Sequence, residues 1–111
     1  MVNEHLDEHA DKFAAHLQLI GKLIDPEFSL STQKVTKGDL PLKRLSGRIC
    51  VDRLLFIRFD YEVFLDSETG SLTVNESTFS VTRGAKNSEP LARWDYIRSP
   101  RSNIPCAHIQ V

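Results

Sequence analysis

At 111 residues the chain has the length of one domain, 1–111, able to bury a single core without metal or disulfide staples. Its 41% apolar and 26% charged residues are those of a soluble globular protein, and no apolar run approaches the ~20 residues that a membrane-spanning helix needs. The net charge of −1 conceals blocks of −4 (residues 1–27), +5 (28–58), −5 (59–82) and +3 (83–111), which either neutralise one another on folding or leave a basic surface from Lys34, Lys37, Lys43, Arg44 and Arg48 for nucleic acid.

The polar start, Met-Val-Asn-Glu-His, is unlike a secretory signal. Cys50 and Cys106 stand in strand-like apolar surroundings and read as small buried hydrophobes of a reducing compartment, so a cytoplasmic location is expected. Asn3 can cap a helix that runs to about Ile24. Leu6, Ala10, Phe13, Ala14, Leu17, Ile20 and Ile24 recur at helical spacing and make one apolar stripe. Asp25-Pro26 ends the helix, because the residue before proline is steered out of the helical region.

Residues 28–36 alternate weakly and read as an edge strand, and Lys37-Gly-Asp-Leu-Pro41 reads as a turn. From Leu45 to Leu65 the odd positions are mostly apolar over too long a run for one strand, so a break is expected near Asp52-Arg53. Asp66-Ser-Glu-Thr-Gly70 is a hairpin loop with glycine where positive φ is favoured. In the returning strand the apolar parity changes, from Leu72 and Val74 to Phe79 and Val81. A β-bulge between 75 and 78 would restore a common face with Ile57, Phe59, Val63 and Leu65. After a connection over residues 83–90, Leu91-Ala-Arg-Trp-Asp-Tyr-Ile97 and Ile104-Pro-Cys-Ala-His-Ile-Gln-Val111 both alternate with period two. The expected fold class is α+β, a long N-terminal helix packed on an antiparallel, hairpin-connected sheet of about 5–6 strands.

Pairing the last two segments with their apolar faces matched sets Asp95 across from His108, with Arg93 on the same surface and Trp94 in the core. A histidine oriented by a carboxylate can act as a general base, and an arginine beside it can bind phosphate. Asp95 and His108 are therefore the candidate catalytic residues, and Arg93, Tyr96, Arg98 and Arg101 the candidate binding residues. The bland reading pairs Asp95 with Arg93 and leaves His108 on a solvated sheet face. Glu76, at the expected bulge, can be aimed toward a site. His5-Leu-Asp-Glu-His9 spells an inverted zinc-protease pattern, but it opens a helix and brings no third ligand, so no metal is expected. The absence of a Gly-rich phosphate loop or a nucleophile elbow gives no reason to expect a cofactor.

Gly70-Ser-Leu-Thr-Val-Asn-Glu76, Leu91-Ala-Arg-Trp-Asp-Tyr and Pro105…His108 together resemble small bacterial proteins, among them the TumE-type toxin family of toxin–antitoxin pairs. The resemblance covers roughly residues 54–111 and implies an activity on RNA, with His108 as base, Asp95 orienting it, and Arg93 and Arg98 holding phosphate. The residues themselves point first to an interaction or regulatory module, whose exposed sheet face or edge meets a protein partner or a second copy in a homo-oligomer. No membrane association is expected.

Overall fold

The computed structural model describes residues 2–84, 89–98 and 107–110. One helix, α1 (Val2–Ile24), precedes six strands: β1 (Ser31–Lys37), β2 (Leu40–Asp52), β3 (Leu55–Leu65), β4 (Leu72–Arg83), β5 (Glu89–Ile97) and β6 (Ala107–Gln110). They form one antiparallel sheet in chain order, so each strand pairs with its sequence neighbours. Such a meander is what successive short turns produce. The helix lies across one face, against β2, β3 and β4. A radius of gyration of 15.1 Å, against about 13 Å for a compact domain of this length, fits a sheet covered on one side only.

Residues paired across antiparallel strands point to the same face, so the register sorts the side chains. Ile49, Ile57 and Val81 share the helix side, as do Gly47, Phe59 and Phe79, and Leu45, Tyr61 and Ser77. Phe59 and Tyr61 extend this into an aromatic tier: Phe59 lies 5.9 Å from Phe28, and Tyr61 meets Phe13 and Phe79 edge-on at 5.2 and 5.4 Å. The expected bulge is present. Glu62 pairs with Glu76 and Val63 with Val74, leaving Asn75 as the extra residue and returning Leu72 and Val74 to the face of Val63 and Leu65. The break in the long apolar run falls at Arg53-Leu54, beside a second register shift at Val51.

Tight turns close the β1–β2 and β3–β4 hairpins. Gly38 and Gly70 adopt φ of +61° and +71°, so the chain turns at Gly38-Asp39 and β2 resumes at Leu40, earlier than the sequence suggests. Pro41 is tolerated because the register of β2 with β3 begins only at Lys43.

The helix differs from expectation at both ends. It begins at Val2, so Asn3 lies inside its first turn rather than capping it. Leu6 and Ala10 are buried and Leu17 packs on the Phe28–Ile49–Phe59 cluster, but Ile20 and Ile24 are exposed. The loop after the helix explains this. It folds back so that Phe28 fills the space between helix and sheet, with its ring against Gly21 and Gly47, where a Cβ at either position would overlap it. Gln18 holds the loop by donating from Nε2 to the Phe28 carbonyl and accepting from the Leu30 amide. Gly21 thus takes the sheet-facing position one turn after Leu17, and Ile20 and Ile24, on the same stripe, are left exposed.

Candidate functional site

The face opposite the helix is polar and ordered in rows that cross the strands. One row runs Arg44, Glu62, Glu76. The next runs Ser46, Asp60, Thr78, Asp95, with His108 as the β6 partner of Asp95. The third runs Arg48, Arg58, Ser80, Arg93, with Gln110 as the β6 partner of Arg93. Between them lies an open trough of about 760 Å³, with Arg48, Arg58 and Arg93 in its lining and serine and threonine hydroxyls around them.

The Asp95–His108 register is the one that the apolar parity of the two segments predicts. Asp95 itself is buried, and its Oδ1 accepts from Arg93 Nε at 2.9 Å and from Thr78 Oγ1 at 3.1 Å. The pairing of Asp95 with Arg93 is therefore real, and it coexists with a register that sets His108 across from the carboxylate. The other candidates do not converge there. Tyr96 alternates onto the helix side, paired with Ser77 and Ala107. The Arg98 guanidinium lies over the Phe64 ring and 3.9 Å from Asp66, near the β3–β4 turn. Arg101 lies outside the described residues, as does Cys106.

Most of the basic surface suggested by the charge blocks is internally neutralised. Lys43 and Lys34 grip the Asp7 carboxylate at 2.9 and 3.2 Å, fixing the first turns of the helix to β1 and β2. Their hydrogen bonds, Lys43 first, hold the Asp7 carboxyl below the usual carboxylate range. Lys37 bonds Glu62 at 2.9 Å and lies 3.7 Å from Glu76, while Arg44 approaches Asp60 and Glu62 at 3.4 and 3.6 Å. The Glu62 side chain is only 3% exposed. Burial pushes its carboxyl up, but hydrogen bonds from Asn75 and Lys37 and the charges of Lys37 and Arg44 prevail and leave it lowered. The same bond to Glu62 raises the Lys37 ammonium. Glu76, beside the bulge, joins this ion cluster, in which only Glu62 is buried.

Two expectations about packing are corrected. Trp94 shares the helix side with Phe79 but is 39% exposed, because the helix lies over β2 to β4 and leaves β5 uncovered. Cys50 is half-buried rather than buried, with Sγ 3.5 Å from the Arg53 carbonyl. Among the described residues no group of three His, Cys, Asp or Glu side chains is placed to hold a metal, and no helix is long and apolar enough to cross a membrane.

A second surface stands apart from the trough. Leu19, Ile20, Leu23 and Ile24 are 61%, 54%, 79% and 49% exposed along the last two turns of α1. Exposed Val51 and Leu54 belong to the neighbouring β2–β3 hairpin, which Asp25 ties to the helix end by accepting from the Cys50 amide. The sequence contains all four helix residues, but helical periodicity assigns two of them to the core. Arg58, Ser80 and Thr78 also escaped that reading, although the alternation of β3 places Arg58 opposite Ile57 and Phe59. No family model, curated protein or solved structure matches the chain.

Proposed function

We propose that the protein is an interaction module that docks through the last two turns of α1, and that its partner is a second copy of the same chain. The observation that carries this reading is the contiguous exposure of Leu19, Ile20, Leu23 and Ile24. Scattered exposed aliphatics are ordinary, whereas four together mark a contact surface. They form two i, i+4 pairs, Leu19 with Leu23 and Ile20 with Ile24, on a single helix. A copy rotated about a two-fold axis across the helix presents the same pairs in reverse order, which is the self-complementarity an isologous dimer requires.

Magnitudes set the strength. Covering four half-exposed Leu and Ile side chains is worth roughly 1–2 kcal/mol each, and the loss of free motion on association costs about 4–15 kcal/mol. Val51 and Leu54 extend the surface, so a reversible dimer is expected rather than an obligate one. Light scattering across a concentration series tests it. The mass should rise toward that of a dimer for the parent and stay monomeric for Leu23→Asp, with the helical circular dichroism unchanged. A parent that remains monomeric at the highest concentration and binds no partner contradicts the reading.

The register of Asp95 with His108 favours a second reading, an RNA-acting protein of the kind the TumE-type resemblance implies. His108 would then serve as base and Asp95 as its orienting carboxylate. Arg93, whose Nε meets Asp95, would hold phosphate through its other N–H groups, while Arg98 stands apart beside Asp66 and Phe64. Growth arrest with RNA loss on expression, abolished by His108→Ala and by Asp95→Asn, is the expected result. Normal growth with intact RNA excludes it.

A further inference from the structure

We infer that the second copy seats its α1 on the sheet face that this chain's own helix leaves uncovered, over β4 and β5 beside Trp94, so that two helices lie side by side between two sheets. The inference rests on the reading that α1 docks against a second copy, and it names the surface that receives the helix.

The helix turns a definite flank toward that face. At about 100° per residue, with Leu17 and Gly21 facing the sheet, Asp7 and Gln18 sit on one flank and Ile20 and Leu23 on the other. Asp7 bonds Lys34 of β1 and Lys43 of β2, and Gln18 bonds Phe28 and Leu30 in the loop that leads into β1. The flank of Ile20 and Leu23 is therefore turned the opposite way, toward β4 and β5. Because α1 packs mainly on β2 and β3, it stands as a wall beside the uncovered strands.

The floor beside that wall is apolar. Phe79 and Val81 of β4 pair with Trp94 and Ala92 of β5, and Tyr96 follows on the same face, whereas the opposite face of β5 presents Arg93 and Asp95. Phe79 already packs on the core cluster, and Trp94 beside it is 39% exposed. Helix axes in contact lie about 8–10 Å apart, which is two strand spacings of about 4.8 Å. A second helix laid antiparallel against Ile20 and Leu23 is thereby carried from β2 and β3 onto β4 and β5. A two-fold axis between the helices makes the arrangement mutual, each sheet receiving its own helix and its partner's.

The areas point the same way. The four exposed leucines and isoleucines of the helix offer roughly 150–300 Å² of apolar surface. A stable interface takes about 800 Å² from each partner. The helix patch alone falls short, and the floor of β4 and β5, with a tryptophan at its centre, is the adjoining surface that enlarges it.

Trp94 is the chain's single tryptophan, so its fluorescence reports on this floor directly. Acrylamide quenching and light scattering are to be measured together on the full chain, from about 1 μM to about 500 μM. As the mass rises toward that of a dimer, quenching of Trp94 should fall by about half and its emission should shift to the blue, and Leu23→Asp should abolish both changes. Ala92→Glu, which places a charge in the floor and leaves the helix patch intact, should weaken association about tenfold or more. Ser80→Glu, on the opposite face of the neighbouring strand, should leave association unchanged. The quenching of the parent needs no substitution, so it decides the matter even where Ala92→Glu fails to fold. A dimer whose Trp94 is quenched equally at every concentration would overturn the inference and leave docking through the helix standing. A chain that stays monomeric throughout would overturn both.

Discussion

The first half of α1 carries few apolar residues and the second half many, yet the first is the better packed. In the first half, Leu6 and Ala10 are buried, Phe13 packs on Tyr61, and Asp7 is gripped by Lys34 and Lys43. In the second half Leu17, Gln18 and Gly21 meet the loop and sheet, while four large aliphatic side chains stand in solvent. Periodicity alone cannot separate the halves. What separates them is a loop residue, Phe28, which occupies the volume that Ile20 and Ile24 would otherwise fill. An amphipathic stripe therefore identifies a helix reliably, but the element that fills the space beneath it decides which residues the stripe buries.

The contrast is broken most sharply by truncation. Leu6→Ala should cost about 3 kcal/mol in urea unfolding, as a fully buried leucine that leaves a cavity does. Leu23→Ala, at a position 79% exposed, should cost less than about 0.5 kcal/mol in the monomer. Equal costs would mean that the two halves are packed alike.

Gly21→Ala probes the boundary between them. In an isolated helix the change stabilises by about 1 kcal/mol. Here the new Cβ would overlap the Phe28 ring, and overpacking of this kind costs about 1–3 kcal/mol, so a net destabilisation of about 1–2 kcal/mol is expected. Pairing it with Phe28→Leu should recover part of the loss, and a Gly21→Ala protein more stable than its parent would remove Phe28 as the reason that Ile20 and Ile24 are exposed.

Acid provides a gentler test of the anchored half. Asp7 has a lowered carboxyl in the folded state, so its bridges to Lys43 and Lys34 stabilise fully above the unfolded carboxylate value, near 3.9, and are lost as pH falls through the lower folded value. Asp7→Asn should be less stable at neutral pH and should flatten the acid limb of a stability–pH curve. Glu62 follows the same sign through its own lowered carboxyl, so Asp7→Asn removes only part of that slope. An unchanged acid limb would show that the bridge contributes nothing to holding the first turns.

Much of this fold is legible in the sequence because β-strand parity is unforgiving. A slip of one residue exposes every core side chain, so the shift from Leu72 and Val74 to Phe79 and Val81 demands the bulge that Asn75 provides, and the alternation around Trp94 and Ile109 brings Asp95 opposite His108. The misread residues depend on coverage instead. Trp94 alternates with the core yet is exposed because the helix stops short of β5, and the space beneath the end of the helix is filled by Phe28, which the weak alternation of residues 28–36 assigns to an edge strand but which precedes β1. For the polar face, parity places Arg58 outside the core but cannot show that β2 sets Arg48 beside it. That juxtaposition depends on the hairpin register, and hence on the extra residue at Val51.

Amide hydrogen exchange along α1, measured at low and high protein concentration, addresses the docking of a second copy most directly. The account predicts that protection over residues 19–24 rises with concentration while protection around Leu6 and Ala10 stays constant, because only the exposed surface of the second half gains a partner. Protection of residues 19–24 that is the same at every concentration would contradict it.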